Sequence, residues 1–116
     1  QRLVRTLCPA CRTSHAPSPG EARLLSGLGL AAGAPAWNAA GCAQCNGTGF
    51  SGRTGIYELL RIDDTLRRLI HDGAGELALR DGALRAGMRC LRDDGARFLG
   101  DGRTSLAELT RVTRDA

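Results

Sequence analysis

Two pairs of cysteines constrain this chain more than any other feature of its sequence. Each pair has the form Cys-x-x-Cys: Cys8 with Cys11, and Cys42 with Cys45. A spacer of two residues lets both sulfurs of a pair turn toward one point, and four thiolates form the tetrahedral set that structural zinc prefers. The pattern therefore predicts one closed four-cysteine zinc site. Because no coordination position is left for water, we expect the metal to hold the chain together and not to activate a nucleophile.

Disulfides, buried apolar thiols and a redox pair are the alternatives for these cysteines. The first residues, Gln1–Leu7, lack the long apolar core and the cleavage-like site of a secretory signal. This favours a reducing compartment, where paired Cys-x-x-Cys units more often bind metal than form disulfides. A thioredoxin-like motif follows a strand and opens a helix, whereas Cys8–Cys11 precedes a segment rich in proline and serine. The sequence therefore favours zinc.

The composition predicts a thin hydrophobic core. Of 116 residues, sixteen are glycine and only four are aromatic, so leucine, alanine and isoleucine must supply most of the buried surface. Glycine raises the entropy that folding must overcome. A structural zinc ion contributes roughly 10 to 16 kcal/mol of apparent binding free energy, which is comparable with the stability of a whole domain. We therefore expect metal binding to decide whether the N-terminal half folds.

The charge of the chain gives little support to a nucleic-acid partner. The formal net charge is +4, and all sixteen basic side chains are arginine. Four thiolates and one zinc ion would lower this charge to about +2. In the second half, arginines alternate with aspartates, which is typical of solvated helical faces. No nucleic-acid partner is expected.

Local patterns predict the elements of the first half. Residues 2–7 have the pattern of a regular element, and Ser18-Pro19-Gly20-Glu21 has the form of a capping box for a helix that reaches about Ser26. Residues 29–40 have no clear period and are predicted as a loop, with Trp37 packing over the metal site. Asn46–Gly49 is predicted as a turn that directs backbone amides toward the sulfurs. Strand character runs over residues 53–62.

Four short helices are predicted after this strand. Asp63 and Asp64 cap the first, whose apolar face contains Leu66, Leu69 and Ile70. The second covers residues 75–86, with Leu77 and Leu84 facing inward. The third covers residues 90–99, and a capping box at Ser105–Glu108 opens the fourth.

The predicted fold class is therefore α+β. It consists of a small four-cysteine zinc-binding loop region and a short strand, followed by a bundle of short helices. We expect a division into a zinc-binding subdomain, residues 1–50, and a strand with a C-terminal helical subdomain, residues 51–116.

Several segments in order resemble one family. Gln1–Pro9, Gly41–Phe50 and Gly52–Leu60 resemble the C-terminal part of the type II secretion ATPase family, GspE, and of its type IV pilus assembly relative, PilB. The helical segments 66–73 and 87–95, with 104–113 after them, are similar to later helices of that family. The resemblance thus covers essentially the whole chain.

The resemblance implies the C-terminal fragment of a RecA-like hexameric motor ATPase, which acts in the cytoplasm and drives pseudopilus or pilus assembly. The family's zinc ligands correspond to Cys8, Cys11, Cys42 and Cys45, and no catalytic residue is assigned. The sequence has no GxxxxGK[ST] phosphate loop, so ATP and Mg²⁺ are expected in the parent protein only. Expected partners are the ATPase core, neighbouring subunits of a homohexamer, and inner-membrane secretion platform proteins. They would hold the protein peripherally at the inner membrane.

The alternative is a zinc-ribbon module that binds nucleic acid or a protein client. Cys42–Gly49 is one CxxCxGxG unit of the kind that DnaJ-type chaperones repeat, but the first pair lacks these glycines. Nucleic-acid binding would need aromatic and basic residues on one face, and the aromatics are scattered along the sequence.

No catalytic role is predicted for the remaining polar residues. His15 is close enough in sequence to replace a cysteine ligand, and Cys90 is expected to be a partly buried thiol. Arg53 and Arg67 can reach a neighbouring subunit or a nucleotide phosphate, although surface arginines explain them equally well. His71 is placed near a helix C-terminus, where a cation interacts favourably with the dipole.

Overall fold

The computed structural model describes residues 1–114, which divide into two compact units. The first comprises Gln1–Tyr57 together with the segment from Leu91 onward, and the second comprises Glu58–Cys90. The α+β class is confirmed. The strands of the described residues are β1 (Arg2–Leu7), β2 (Thr13–His15), β3 (Ala36–Asn38) and β4 (Phe50–Ile56). The helices are α1 (Pro19–Gly27), α2 (Asp64–His71), α3 (Glu76–Arg85), α4 (Leu91–Gly95), α5 (Arg97–Gly100) and α6 (Leu106–Val112). The functional division near residue 50 remains a prediction, because the two units are defined by packing.

An antiparallel ribbon of β1 and β4 organises the first unit. Its register places Arg2 opposite Ile56 and Val4 opposite Thr54, with a shift between Arg5 and Leu7. Val4 and Ile56 are completely buried. Side chains alternate between the faces of a strand, so one face of the ribbon forms the core wall. The core cluster consists of Val4, Leu25, Ile56, Leu91, Phe98, Leu99 and Leu109.

The predicted strand over residues 53–62 is wrong in its bounds. β4 starts earlier, at Phe50, and ends at Ile56. The antiparallel register with β1 reaches Ile56, which is opposite Arg2. The next backbone amide, that of Tyr57, donates to Asp94 Oδ2 at 2.8 Å. Leu59, expected within the strand, is 82% exposed.

A second small ribbon lies where the sequence predicted loops. β2 pairs with β3, and Ser14 is opposite Trp37. Strands of three residues are too short to show a period of two, which is why the sequence pattern missed them. The indole ring of Trp37 lies beside the Arg12 guanidinium, 4.6 Å from its carbon to the ring centroid, and beside Gly102.

The caps predicted at Ser18 and Asp63 are confirmed, whereas Asp64, predicted to share the cap of α2, is the first residue of that helix and pairs with Arg67. Ser18 and Glu21 form the complete capping box of α1, in which each backbone amide donates to the other side chain, at 3.1 and 3.2 Å. Asp63 Oδ1 accepts the amide of Leu66 at 2.8 Å and caps α2.

The inward residues predicted for α3 are wrong. Leu77 and Leu84 are 77% and 42% exposed, whereas Ala83 is buried. A Cβ atom built at Gly82 would lie 3.2 Å from Leu69 and 3.4 Å from Leu66. The small residues of α3 therefore allow close packing against α2, and the two leucines lie outside this contact.

The helix predicted over residues 90–99 is two short helices, α4 and α5, separated at Ala96. Gly95, the last residue of α4, is the site of closest packing, because a Cβ atom there would lie only 2.3 Å from Leu109 Cδ1. The lack of a Cβ atom at Gly95 therefore lets α4 pack closely against Leu109 of α6.

Glu108 connects α6 to β1. Ser105 Oγ accepts the Glu108 amide at 3.1 Å, as the predicted cap requires. The Glu108 carboxylate does not complete a capping box, since it accepts bonds from the backbone and guanidinium of Arg5 and from the guanidinium of Arg111, at 2.7 to 3.2 Å. Burial raises the pKa of Glu108, but the bonds from Arg111 and Arg5 outweigh it and lower the pKa to about 2.

Replacing Glu108 with glutamine is expected to lower the free energy of unfolding by about 2 kcal/mol at neutral pH, because hydrogen bonds to charged groups contribute roughly 1.5 to 3 kcal/mol each. Since the folded-state pKa is depressed, the stabilisation is present above the ordinary value of 4.5 and is lost as the pH falls toward about 2. Urea unfolding of the metal-loaded protein from pH 7 downward measures both effects. Glu76→Gln, at an exposed position, is the control, and equal stability of both variants would contradict the role of Glu108.

Candidate metal centre

The four predicted cysteines lie together in the structure. Their sulfur atoms are all within 4.8 Å of one another. The distances are 3.7 Å for Cys42–Cys45, 3.8 Å for Cys8–Cys42 and 3.9 Å for Cys11–Cys45. Zinc–sulfur bonds of about 2.3 Å in a tetrahedron place pairs of sulfurs about 3.8 Å apart. All four are free cysteines. The donor set therefore fits a single thiophilic ion, and the disulfide alternative is wrong for this structure.

The β1–β4 ribbon brings the two cysteine pairs to one end. Leu7 is opposite Phe50, and the next amide, that of Cys8, donates to the carbonyl of Gly49 at 2.9 Å. The first pair follows directly after β1, and the second pair comes shortly before β4. Strand pairing that is fixed by the buried core thus also fixes the position of the sulfurs.

Backbone amides point at two of the sulfurs. Cys45 Sγ accepts from the amides of Gly49 and Cys42, at 3.1 and 3.2 Å, and Cys11 Sγ accepts from the amide of Gly41 at 3.3 Å. The predicted turn after Cys45 is confirmed in this role through Gly49. The amides of Gly41 and Cys42 were not anticipated.

The thiols differ in their electrostatic surroundings. Burial raises the pKa of Cys45, but the amides of Cys42 and Gly49, together with the neighbouring thiols, outweigh it and lower the pKa to about 6. The Gly41 amide lowers the pKa of Cys11, yet burial and the hydrogen bonds among the thiols raise it to about 11. Of these two thiols, Cys45 therefore ionises more readily. A divalent ion would displace the thiol protons, since the thiolate is the ligand.

Two glycines make the tight approach possible. Gly41 has φ of 114°, and a Cβ atom there would lie 2.7 Å from the Gly47 carbonyl oxygen. Gly49 has φ of 81°, and its Cβ atom would lie 2.6 Å from the Ala39 side chain. Both conformations are unfavourable for other residues. A glycine directly before a Cys-x-x-Cys motif is the sequence signal that could have identified Gly41.

His15, Arg67 and Cys90 do not belong to the sulfur cluster. Within residues 1–114, the clustered metal-binding groups are the four cysteines. His15 bonds to Glu21 Oε1 at 3.1 Å and to the Asn38 side chain. Arg67 pairs with Asp64 at 2.7 Å on the surface of α2, and Cys90 belongs to the second compact unit. The structure therefore does not bring these residues to the cysteine cluster.

Comparison with known proteins identifies the family. The family model described as "Type II/IV secretion system protein" matches residues 1–111. The chain belongs to this family. Type II secretion system protein HxcR of Pseudomonas aeruginosa is 47% identical over 116 residues, which are 100% of this chain and 21% of that relative. Type II secretion system ATPase E of Vibrio cholerae is 44% identical over 100% of this chain and 23% of its own length.

The resemblance to type II secretion and type IV pilus ATPases is thus confirmed. Type IV pilus assembly ATPase PilB of Thermus thermophilus is 40% identical over 97% of this chain and 13% of its own length. The chain spans about a fifth of the length of the type II relatives it matches. Among the residues that the structure describes, no helix is long and apolar enough to cross a membrane.

We expect the purified chain to bind one Zn²⁺ ion and Cys8→Ser to abolish stoichiometric binding, because Cys8 is a buried member of the sulfur set. Zinc content per chain, measured by inductively coupled plasma mass spectrometry, tests this. Cys90→Ser is the matched control and should retain the metal. Iron or another thiophilic ion in place of zinc would refute the choice of metal, and retention of zinc by Cys8→Ser would refute the ligand set.

The close approach at Gly41 yields a separate prediction. Gly41→Ala should weaken zinc affinity by about 10- to 100-fold, the range typical for changes to groups that hold metal ligands. Gly47→Ala is the control, since Gly47 also has positive φ but has open space around its Cβ position. Competition with a chromophoric chelator gives both affinities. Equal affinities would show that backbone strain alone, and not the contact with the Gly47 carbonyl, governs this position.

Proposed function

We propose that this chain is the C-terminal zinc-binding portion of an ATPase that powers type II protein secretion through pseudopilus assembly. The observation that carries the proposal is the set of four sulfurs at tetrahedral spacing in a chain that belongs to the secretion family over residues 1–111. The two type II relatives described above match this chain at 47% and 44% identity over its whole length.

The metal would be held by Cys8, Cys11, Cys42 and Cys45 and would supply a structural cross-link, since four protein ligands leave no open coordination position. The chain between the two pairs, residues 12–41, carries α1 and the β2–β3 ribbon. Closing such a long loop at a fixed point removes conformational entropy from the unfolded chain. The four-cysteine region would thereby become a rigid projection.

Nucleotide chemistry would reside in the rest of the parent protein. A phosphate loop requires a lysine, and this sequence contains sixteen arginines and no lysine. We therefore assign ATP and Mg²⁺ to the parent ATPase and a coupling role to this chain. Its partners would be the ATPase core, neighbouring subunits of a homohexamer and inner-membrane platform proteins. The parent would be cytoplasmic and would associate peripherally with the membrane through these partners.

The proposed coupling is mechanical. A zinc-fixed projection moves as one body with the ribbon to which it is attached, so nucleotide-driven motion of the core would reach a membrane platform or a neighbouring subunit without being lost in loop motion. The sulfurs lie at the end of the β1–β4 ribbon, whose inner face forms the core wall through Val4 and Ile56. This arrangement supports transmission from a packed body to a stiff extension.

In the full-length parent, Cys42→Ser is expected to reduce secretion by about tenfold or more, in line with losses on disturbing metal sites. Secretion of a reporter substrate, hexamer content and ATP hydrolysis should be measured together, with Cys90→Ser as the control. Unchanged secretion and hexamer assembly in Cys42→Ser would disprove the coupling role.

The 116-residue chain alone should not hydrolyse ATP, and measurable turnover would disprove the assignment of catalysis to the parent.

A further inference from the structure

The side chain of Arg12 connects three segments that are far apart in sequence. Arg12 directly follows Cys11, the second thiol of the first cysteine pair. Its guanidinium carbon is 4.6 Å from the centroid of the Trp37 ring on β3. Its Nη1 atom donates to the carbonyls of Asp101 and Gly102, at 3.0 and 2.8 Å. We call Arg12, Trp37 and the Asp101–Gly102 turn the arginine clamp.

The arginine clamp is closely packed. Gly102 has φ of 74°, and a Cβ atom there would lie 2.7 Å from Trp37 Cδ2 and 2.8 Å from Arg12 Nη1. Both partners therefore exclude a side chain at this position, which the left-handed backbone also disfavours. The indole Nε1 atom is buried and has no hydrogen-bond partner among residues 1–114. Because an unpaired buried N–H group is unfavourable, contacts with Arg12 and Gly102 hold the ring in place and not a bond of its own N–H.

The Asp101–Gly102 turn is attached to β1 and to α5. The next residue is Arg103, whose carbonyl accepts the amide of Leu7 at 2.7 Å. The amide of Arg103 donates to the carbonyl of Phe98 at 3.0 Å. The carbonyls that accept from Arg12 thus belong to a backbone that is held on both sides by bonds without any sulfur atom.

We propose that Arg12 is a positioning residue of the metal centre and couples zinc binding to the Asp101–Gly102 turn. Closing the four sulfurs around one ion would fix the backbone next to each cysteine pair, and Arg12 is adjacent to one pair. The guanidinium then forms its bonds to the turn with less loss of conformational freedom. These bonds add to the zinc affinity, and by thermodynamic linkage zinc binding stabilises the turn by the same factor. The inference rests on the proposed function, in which the chain binds zinc.

The arginine clamp gives the zinc-closed region a second point of attachment. The first is the β1–β4 ribbon, which leads into the sulfur cluster. A body that is attached at one point can still rotate about it. The clamp joins the β2–β3 ribbon, through Trp37, to the turn before α6. Two attachments remove this rotation, so the projection would have a fixed direction as well as a fixed shape.

Positive charge alone is the alternative role for Arg12. Four thiolates and one Zn²⁺ ion carry a net charge of about −2, which a nearby cation stabilises. This role needs only a cation, whereas the clamp needs a planar guanidinium that stacks on a ring and donates hydrogen bonds at the same time. The stacked ring and the two carbonyl bonds favour the clamp. Lysine at this position would keep the charge and lose the combination.

The zinc affinity of the 116-residue chain, measured by competition with a chromophoric chelator, tests the coupling. Arg12→Lys and Arg12→Gln should each weaken the affinity about tenfold, the factor expected when a charged donor loses its hydrogen bonds. Arg23→Gln, at an exposed position on α1, is the control and should bind zinc like the wild type. Equal affinities of the wild type and both Arg12 variants would overturn the inference. A normal affinity in Arg12→Lys with a loss in Arg12→Gln would overturn it in favour of charge alone.

Gly102→Ala tests the clamp from its other side. The substitution should weaken zinc affinity by a similar factor, although Gly102 supplies no ligand. Gly33→Ala is the matched control, because Gly33 also has positive φ within the metal loop but has open space around its Cβ position. Gly33→Ala should therefore retain more of its affinity than Gly102→Ala. The reverse order would contradict the proposal.

The double variant separates the clamp from general destabilisation. If Arg12→Lys and Gly102→Ala break the same clamp, the double variant should bind zinc about as tightly as the weaker single variant, because the second change has nothing left to remove. Additive losses would show that the two residues act independently and would refute the coupling.

Fluorescence of Trp37, the only tryptophan in the chain, gives a second readout. Zinc binding should shift its emission, because the metal-bound state holds the ring between Arg12 and Gly102, and most of this shift should be lost in Gly102→Ala. A shift of unchanged size in that variant would refute the coupling. A wild-type chain that binds no zinc would refute the proposed function together with the inference. Tight binding by the wild type with no loss in the clamp variants refutes the inference alone.

Discussion

The antiparallel pairing of β1 with β4 is the interaction on which the other features of the first unit depend. A shift of one residue would turn Val4 and Ile56 away from the core, because side chains alternate between the two faces of a ribbon. The same shift would separate Cys8 from Gly49, whose carbonyl accepts the Cys8 amide. Core packing and the geometry of the sulfur cluster therefore require one and the same register.

Polar contacts secure the second edge of β1. The amide of Arg5 donates to Glu108, and the Thr104 hydroxyl donates to the Arg5 carbonyl at 2.9 Å. Both Glu108 and Thr104 are buried, so these bonds are made where an unpaired partner would be costly. The Leu7 amide donates to the carbonyl of Arg103 at 2.7 Å. The edge of β1 is thus satisfied by α6 and the turn before it, although no third strand is present in the described part of the chain.

Interactions within a few residues could be predicted from the sequence, and those between distant segments could not. The caps by Ser18, Asp63 and Ser105 were predictable because each side chain bonds to an amide three residues later. The cysteine cluster was predictable because a structural zinc site takes four thiolates in a tetrahedron. The two Cys-x-x-Cys pairs supply this set although they are far apart in sequence. The bounds of β4 were missed, since they depend on its pairing with β1, which is distant in sequence. The role of Glu108 was missed for the same reason, because Arg5 is far from it along the chain.

The distribution of these contacts explains why one surface of the ribbon is left open. The core cluster covers the inner face, α6 and the preceding turn cover the edge of β1, and the sulfur cluster lies at one end. Each of these contacts uses residues of the chain itself. On the outer face, Leu3 and Tyr57 are half-exposed, and Arg5, which pairs with Glu108, is opposite Arg53. An exposed surface that combines apolar side chains with arginines in this way is typical of interaction sites.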